Sequence, residues 1–126
     1  MSEAIVRHYL EDAVLQFRKM KQLGEKALSQ VSDAEFLVLL DQEANSLGLM
    51  VKHIGGNLRS RWTDFLSSDG EKEWRQRDGE FMLTEGDSRE SLMRACSSGI
   101  RRVSHCTGLR SARCSQSFSA GRPLSS

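Results

Sequence analysis

An apolar stripe of helical period constrains this chain most strongly. From residue 3 to residue 31, apolar and small residues recur at spacings of three and four, the pattern of an amphipathic helix. The stripe consists of Ile5, Tyr9, Ala13, Phe17, Met20, Gly24, Ala27 and Val31, and Leu10, Val14 and Leu28 widen it. Charged residues occupy the other faces. The pattern predicts a long helix that buries one face against other helices.

Cap and turn residues divide the rest of the chain into further helices. Ser32 and Glu35 have the spacing of a capping box, which ends the first helix and opens a short one. Either Asn45 or Ser46 can cap a second long helix over residues 47–66, which turn residues then stop. The remaining features are a polar connection anchored by Trp74, Phe81, Met82 and Leu83 and a last helix capped by Asp87 or Ser88. No strand alternation persists, so the sequence predicts an all-α fold, most simply an antiparallel helical bundle.

The composition excludes several classes of protein. At 126 residues, with 38% hydrophobic and 28% charged residues, the chain can form one globular domain and not two. Its net charge of +1 gives no global attraction to nucleic acid or to an anionic membrane. No apolar run is long enough for a membrane span, and the acidic N-terminus is unlike a signal peptide. We therefore predict a cytoplasmic protein with no membrane partner.

The character of the sequence changes at about residue 96. Residues 96–126 hold all three cysteines, the only proline, nine serines and five arginines, but no Asp, Glu or Lys. An odd number of cysteines without CxxC spacing argues against a disulfide framework and against a zinc ribbon. Since neither the apolar period nor a cap pattern continues, we predict a helical unit over residues 1–95 and a disordered, irregular tail over residues 96–126. Phe118 is the tail's only aromatic residue, so nucleic acid is not an expected partner.

Residues 46–66 hold the side chains that can carry chemistry. His53 lies beside the apolar stripe of the second long helix, where it can be either a hydrogen-bonded histidine at the core edge or a metal ligand. Gly55 and Gly56 lie in mid-helix, where glycine is costly, and they predict a close approach of another helix or of a ligand.

The arginine-rich end of this helix allows two interpretations. Its polar and aromatic residues are Arg59, Arg61, Trp62 and Asp64. They can form an anion site, because arginine offers a planar fork to carboxylate or phosphate. They can equally form a solvated helix face with a tryptophan anchor and surface ion pairs. No phosphate-binding loop, nucleophile elbow or HExxH zinc motif occurs, so the sequence leaves open whether the protein is an enzyme.

Two stretches of the chain closely resemble the DinB-like superfamily. They are FRKMKQLGEKALSQVSDAEF and NSLGLMVKHIGGNLRSRWTDFLSSDGEKEWRQRDGEF, and the second resembles an uncharacterised bacterial branch with a VKH…GN…RSRWTDFL…DGEK core. The resemblance covers residues 3–95 and is strongest over residues 45–81. It implies a four-helix bundle in which three histidines hold a divalent metal, Zn or Ni. One histidine comes from the second helix and two, spaced four apart, come from the last; some relatives are thiol-dependent transferases or isomerases that use a low-molecular-weight thiol.

His53 matches the first of these metal ligands. The other positions that match the family motif are Asn57, Arg59, Arg61, Trp62 and Asp64. The helix that carries the two further histidines has no counterpart here, so we expect a member truncated or frameshifted after about residue 95. Its metal site is then incomplete and does not bind the metal tightly.

The missing helix has a physical consequence for the rest of the bundle. Its absence leaves apolar faces without one wall of their core, at about 25 cal/mol per Å² of exposed apolar area. We therefore expect marginal stability or a homodimer. Two functions follow: a DinB-like metal-dependent protein of unknown activity with an incomplete site, or a non-catalytic helical module that binds itself or a partner through its exposed apolar face.

Overall fold

The structure is a computed structural model that describes residues 2–106, and in that range it contains helices and turns but no strand. The elements are α1 (Glu3–Leu28), α2 (Asp33–Leu37), α3 (Leu47–Trp62) and α4 (Arg89–Cys106), with a 3-10 turn at Asp78–Phe81. The all-α prediction is therefore confirmed. None of the helices in the described range combines the length and the apolar character that a membrane span requires.

Side-chain caps begin the helices, as the sequence predicts. The Ser32 hydroxyl accepts from the Glu35 amide at 3.2 Å, and the Glu35 carboxylate accepts from the Ser32 amide at 2.7 Å, so the capping box is confirmed. Of the two candidates before α3, Ser46 is the cap. Ser88 caps the first turn of α4, whereas Asp87 is engaged elsewhere.

The end of α3 differs from the prediction. The helix ends at Trp62 rather than at residue 66, because Thr63 is extended and its hydroxyl donates to the Arg59 carbonyl at 2.6 Å. Asp64 then adopts a φ of 49°, a left-handed conformation that aspartate tolerates and a helix does not.

The helix α4 extends into the segment that the sequence predicts to be irregular. The prediction is wrong for residues 96–106, which are helical. Packing explains the difference: Gly99 lies under Leu58 of α3, and Val103 is only 8% exposed. Leu92, Cys96, Gly99 and Val103 recur at helical spacings, and tertiary contacts of an amphipathic face of this kind stabilise a helix. The rest of the predicted tail, residues 107–126, lies outside the described residues.

The core lies between α2, α3 and α4, around Phe36, Val51 and Leu92. Neighbouring pairs along the two long helices of this core are Gly48 with Leu92, Gly55 with Cys96 and Leu58 with Gly99. Because these numbers rise together, α3 and α4 run parallel. The connection over residues 63–88 is therefore a long crossover, which occurs in some helical bundles.

The helix α1 runs antiparallel to this pair. Leu28, at its C-terminal end, packs against the core, and the Phe17 ring meets the Trp62 ring edge-on at 6.4 Å. The predicted antiparallel arrangement thus applies to α1, whereas α3 and α4 are parallel. The predicted burial of the α1 stripe is wrong, because none of the helix's residues is buried. Within residues 2–106, α1 contacts the other helices at a few positions, among them Phe17 and Leu28.

Candidate functional site

A buried ion pair between Glu80 and Arg75 forms the polar centre of the molecule. Glu80 lies in the 3-10 turn beside α3, and its side chain is 10% exposed. Its Oε1 accepts from Nε of Arg75 at 2.9 Å, and its Oε2 accepts from Nη2 at 3.1 Å. The Arg75 side chain is 2% exposed. Both charges are therefore withdrawn from water and held in the two-bond geometry that suits guanidinium and carboxylate.

His53 of α3 completes this group. Its Nδ1 lies 2.8 Å from Oε2 of Glu80, and because a carboxylate can only accept, Nδ1 donates. The imidazole also stacks on Phe81, with the ring centroids 4.8 Å apart. Gly56 makes room for the contact, since a Cβ at this position would overlap the Glu80 carboxylate. We call Glu80, Arg75, His53 and Phe81 the Glu80 cluster.

Glu80 and Arg75 keep their charges at neutral pH. Burial raises the pKa of Glu80, but the hydrogen bonds and charges of Arg75 and His53 outweigh it, so the pKa lies below its usual range. The hydrogen bond to Glu80 likewise raises the pKa of Arg75. A general acid or base works best with a pKa near the operating pH. These groups instead form a fixed ion pair.

We expect the cluster to make stability depend on pH. A carboxylate whose pKa is lower in the folded state contributes stability that is fully present above its unfolded pKa, roughly 4.3 for Glu. That stability is lost as the pH falls through the lower folded value. Asp87 contributes to the pH dependence in the same direction. Burial raises its pKa, but the contacts with Lys52 and Thr84 lower it by more, so the pKa lies below its usual range. Urea unfolding from neutral to acid pH should therefore show a decline that begins below about pH 4.5; constant stability through this range would contradict it.

A basic recess lies beside the Glu80 cluster, between α3 and the connection. Its volume is about 340 Å³, and its lining residues are Lys52, Gly56, Arg59, Trp74, Arg75, Gln76, Gly79 and Glu80. The Arg59 guanidinium lies 4.6 Å from the centroid of the Trp74 ring, a cation–π contact. Lys52 donates to Asp87 and to the Met82 carbonyl, each at 2.7 Å. We call this cavity the basic recess.

The motif positions of the sequence divide between two places. His53 and Arg59 reach the cluster and the recess, while Asn57 is half-buried on α3. The other three lie at the C-terminal end of α3: the Trp62 and Phe65 rings pack at 5.5 Å, and Arg61 and Asp64 are exposed. This end fits the interpretation of a solvated face with a tryptophan anchor. It borders a wide recess of about 710 Å³ that also reaches α4.

A family model described as a protein of unknown function, DUF1572, matches residues 4–108. The chain belongs to the DUF1572 family. The match includes all of α4 and therefore reaches beyond residue 95, where the resemblance in the sequence ends. No curated protein and no solved structure matches the chain.

The described residues of this DUF1572 chain do not fit a metal centre. Within residues 2–106 no three His, Cys, Asp or Glu side chains come together in a group that could hold a metal ion. His53 contacts Glu80, whose oxygens are already engaged, and His8 and His105 are exposed on α1 and at the end of α4. Burial raises the pKa of the Cys96 thiol, which disfavours the thiolate that binds metal. A catalytic ion such as zinc takes three protein ligands, which these residues do not supply.

Sequence reasoning missed the acidic and basic partners at the centre of this DUF1572 site. The four apolar residues predicted to anchor the connection are all more than one-third exposed: Trp74, Phe81, Met82 and Leu83. The connection instead buries Glu80 and the side chain of Arg75. One signal pointed to this contact. Gly56 predicts a close approach in mid-helix, and the group that approaches is the Glu80 carboxylate.

Proposed function

We propose that this DUF1572 chain is a non-catalytic helical module that self-associates through α1. One observation carries the proposal: α1 buries none of its residues, although one side of it is apolar along most of its length. Seven large apolar side chains on that side are 43–73% exposed, namely Ile5, Val6, Tyr9, Leu10, Phe17, Met20 and Leu23. We call these seven residues the α1 face.

The area of the α1 face matches that of a protein interface. Aromatic side chains have areas of roughly 150–250 Å², and the five aliphatic and Met side chains lie toward the lower end of that range. With about half of each exposed, the seven residues expose on the order of 700 Å². A standard interface buries about 800 Å² on each partner, and contiguous apolar patches of this size usually mark interaction sites. A second copy of the chain presents the same face, so a two-fold pair covers both faces at once.

The charges along α1 favour an antiparallel pair of this kind. The first half of the helix is acidic on balance, with Glu3, Glu11 and Asp12 against Arg7, and the second half is basic on balance, with Arg18, Lys19, Lys21 and Lys26 against Glu25. In an antiparallel pair, the acidic half of one copy lies beside the basic half of the other. Opposite charges across an interface direct the partners and fix their register.

The proposal places the family in the DinB-like lineage, on the motif residues given above. Glu80 holds Nδ1 of His53 in the way that a carboxylate orients a metal-ligating histidine. This contact favours descent from a protein that held a divalent ion with His53 as one ligand. That the ion was Zn or Ni, and that the protein acted with a low-molecular-weight thiol, is what the resemblance implies. The described residues supply no further ligands, so the function proposed for this chain is self-association rather than catalysis.

We expect sedimentation velocity to show a monomer–dimer equilibrium for the full chain. Met20→Glu places a charge in the α1 face and should raise the dissociation constant by about tenfold or more, since burying an unpaired charge opposes association. Leu15→Glu is the matched control: Leu15 is a large, 47% exposed residue of the same helix that lies off the face. Its substitution should leave the dissociation constant unchanged.

Two results would contradict the proposal. One is a monomer at every concentration, and the other is equal weakening by the two substitutions. Zn²⁺ should leave the monomer–dimer equilibrium unchanged. Stoichiometric Zn²⁺ binding that His53→Ala abolishes would contradict the incomplete metal site. That result would not bear on the α1 face, which the Met20→Glu and Leu15→Glu variants test separately.

A further inference from the structure

We propose that the basic recess binds a small oxyanion, the carboxylate or phosphate group of a small molecule. The proposal starts from Nη1 of Arg75, which is buried and has no hydrogen-bond partner within residues 2–106. Buried donors in proteins are nearly always hydrogen-bonded, and a charged donor most of all. A guanidinium nitrogen in this position therefore calls for an oxygen acceptor.

Glu80 does not meet this need. Its two oxygens accept from Nε and Nη2 of Arg75, and one of them also accepts from His53. One edge of the planar guanidinium is thus occupied, and Nη1 lies off that edge. Arg75 is one of the residues that line the basic recess, so the acceptor that we assign to Nη1 is a ligand oxygen that enters from there. Since Nη1 itself is buried, the Arg75 side chain or the recess wall must shift slightly for the two atoms to meet.

The charges that line the basic recess favour an anion. Three lining residues are cationic, Lys52, Arg59 and Arg75, and one is acidic, Glu80. Asp87 engages Lys52, so that charge is compensated. Arg59 makes no ion pair with any residue in the described part of the chain and is held over the Trp74 ring, which leaves its donors for a ligand.

The dimensions of the recess set the class of ligand. A volume of about 340 Å³ lies at the lower end of the range for small-molecule pockets, roughly 300–1,000 Å³. An oxyanion with a short organic group fits such a volume. The recess lies on α3 and the connection, so this binding does not depend on the self-association of α1.

Isothermal titration calorimetry of the full chain with inorganic phosphate, and separately with acetate, tests the proposal. We expect saturable binding of one probe per chain, and the preferred probe tells a phosphate site from a carboxylate site. Arg59→Gln should weaken binding by about tenfold, because it removes a charge-assisted hydrogen bond. Arg94→Gln, at an exposed arginine of α4 outside the recess, should leave it unchanged.

Arg75→Lys is the sharper variant, since it keeps the charge but removes Nη1, and binding should be lost. If this variant does not fold, Arg59→Gln still decides the question. No saturable heat with either probe would overturn the proposal and indicate that water alone satisfies Nη1. Equal affinity in Arg59→Gln and Arg94→Gln would overturn it as well.

Discussion

Replacing Glu80 by alanine should lower the free energy of unfolding by about 3–5 kcal/mol, because it leaves a buried guanidinium without its counter-charge. The Arg75 side chain is 2% exposed, and Glu80 accepts from two of its nitrogens. The substitution also deprives His53 of its acceptor. Urea unfolding followed by circular dichroism measures the change.

Glu71→Ala is the matched control for this prediction. Glu71 lies in the same connection and pairs with Arg77 at 3.5 Å, but both side chains are more than half exposed. An exposed pair of this kind contributes roughly 0–1 kcal/mol, so the control should change stability little. Similar effects of Glu71→Ala and Glu80→Ala would show that the Glu80 cluster is not buried as described. The Glu80→Ala variant should also lose part of the decline in stability below about pH 4.5.

Local sequence signals predicted the helix starts well, because caps act over one turn. The capping box of Ser32 and Glu35 and the cap at Ser46 each start a helix without a distant partner. Helix ends and burial depended on contacts between elements. The helix α4 continues through residues 96–106 because it packs along α3, and a sparse period of apolar and small residues, Leu92, Cys96, Gly99 and Val103, runs through it. The serines and arginines between these positions obscure that period in the sequence. The stripe of α1 shows the reverse: its period predicts burial, but burial also requires a neighbour on that side.

The site divides in the same way. His53 and Gly56 were identified from their own helix, since a histidine beside an apolar stripe and a mid-helix glycine are local anomalies. Glu80 was not identified, because an acidic residue in a polar connection is ordinary until the connection folds back onto α3. Its role follows from contacts with His53 and Arg75 that the helical period does not encode. The motif residues at the end of α3 lie away from the Glu80 cluster for a related reason: the side chains of one helix contact several different neighbours.

The packing of α3 on α4 leads to a second prediction of a large change in stability, and two glycine-to-alanine substitutions should change it in opposite directions. A Cβ on Gly55 would lie 3.2 Å from Cα of Cys96 and 3.3 Å from its amide nitrogen, closer than backbone atoms accommodate without movement. Gly55→Ala should therefore separate the helices and lower the free energy of unfolding by about 1–3 kcal/mol, although alanine is the better helix former. Gly48 and Gly99 lie along the same contact, so a shift of α4 is felt over its whole length.

Gly24→Ala isolates the helix-propensity part of that change. Gly24 lies inside α1, and a Cβ there meets nothing within 4 Å. The same substitution should thus raise the free energy of unfolding by up to about 1 kcal/mol, because only the conformational cost of glycine in a helix is removed. Urea unfolding of both variants, measured at protein concentrations low enough for the monomer to predominate, should give changes of opposite sign in the free energy of unfolding. Stabilisation by Gly55→Ala would contradict this prediction and would mean that the backbone at Cys96 moves by the few tenths of an ångström that the added Cβ requires.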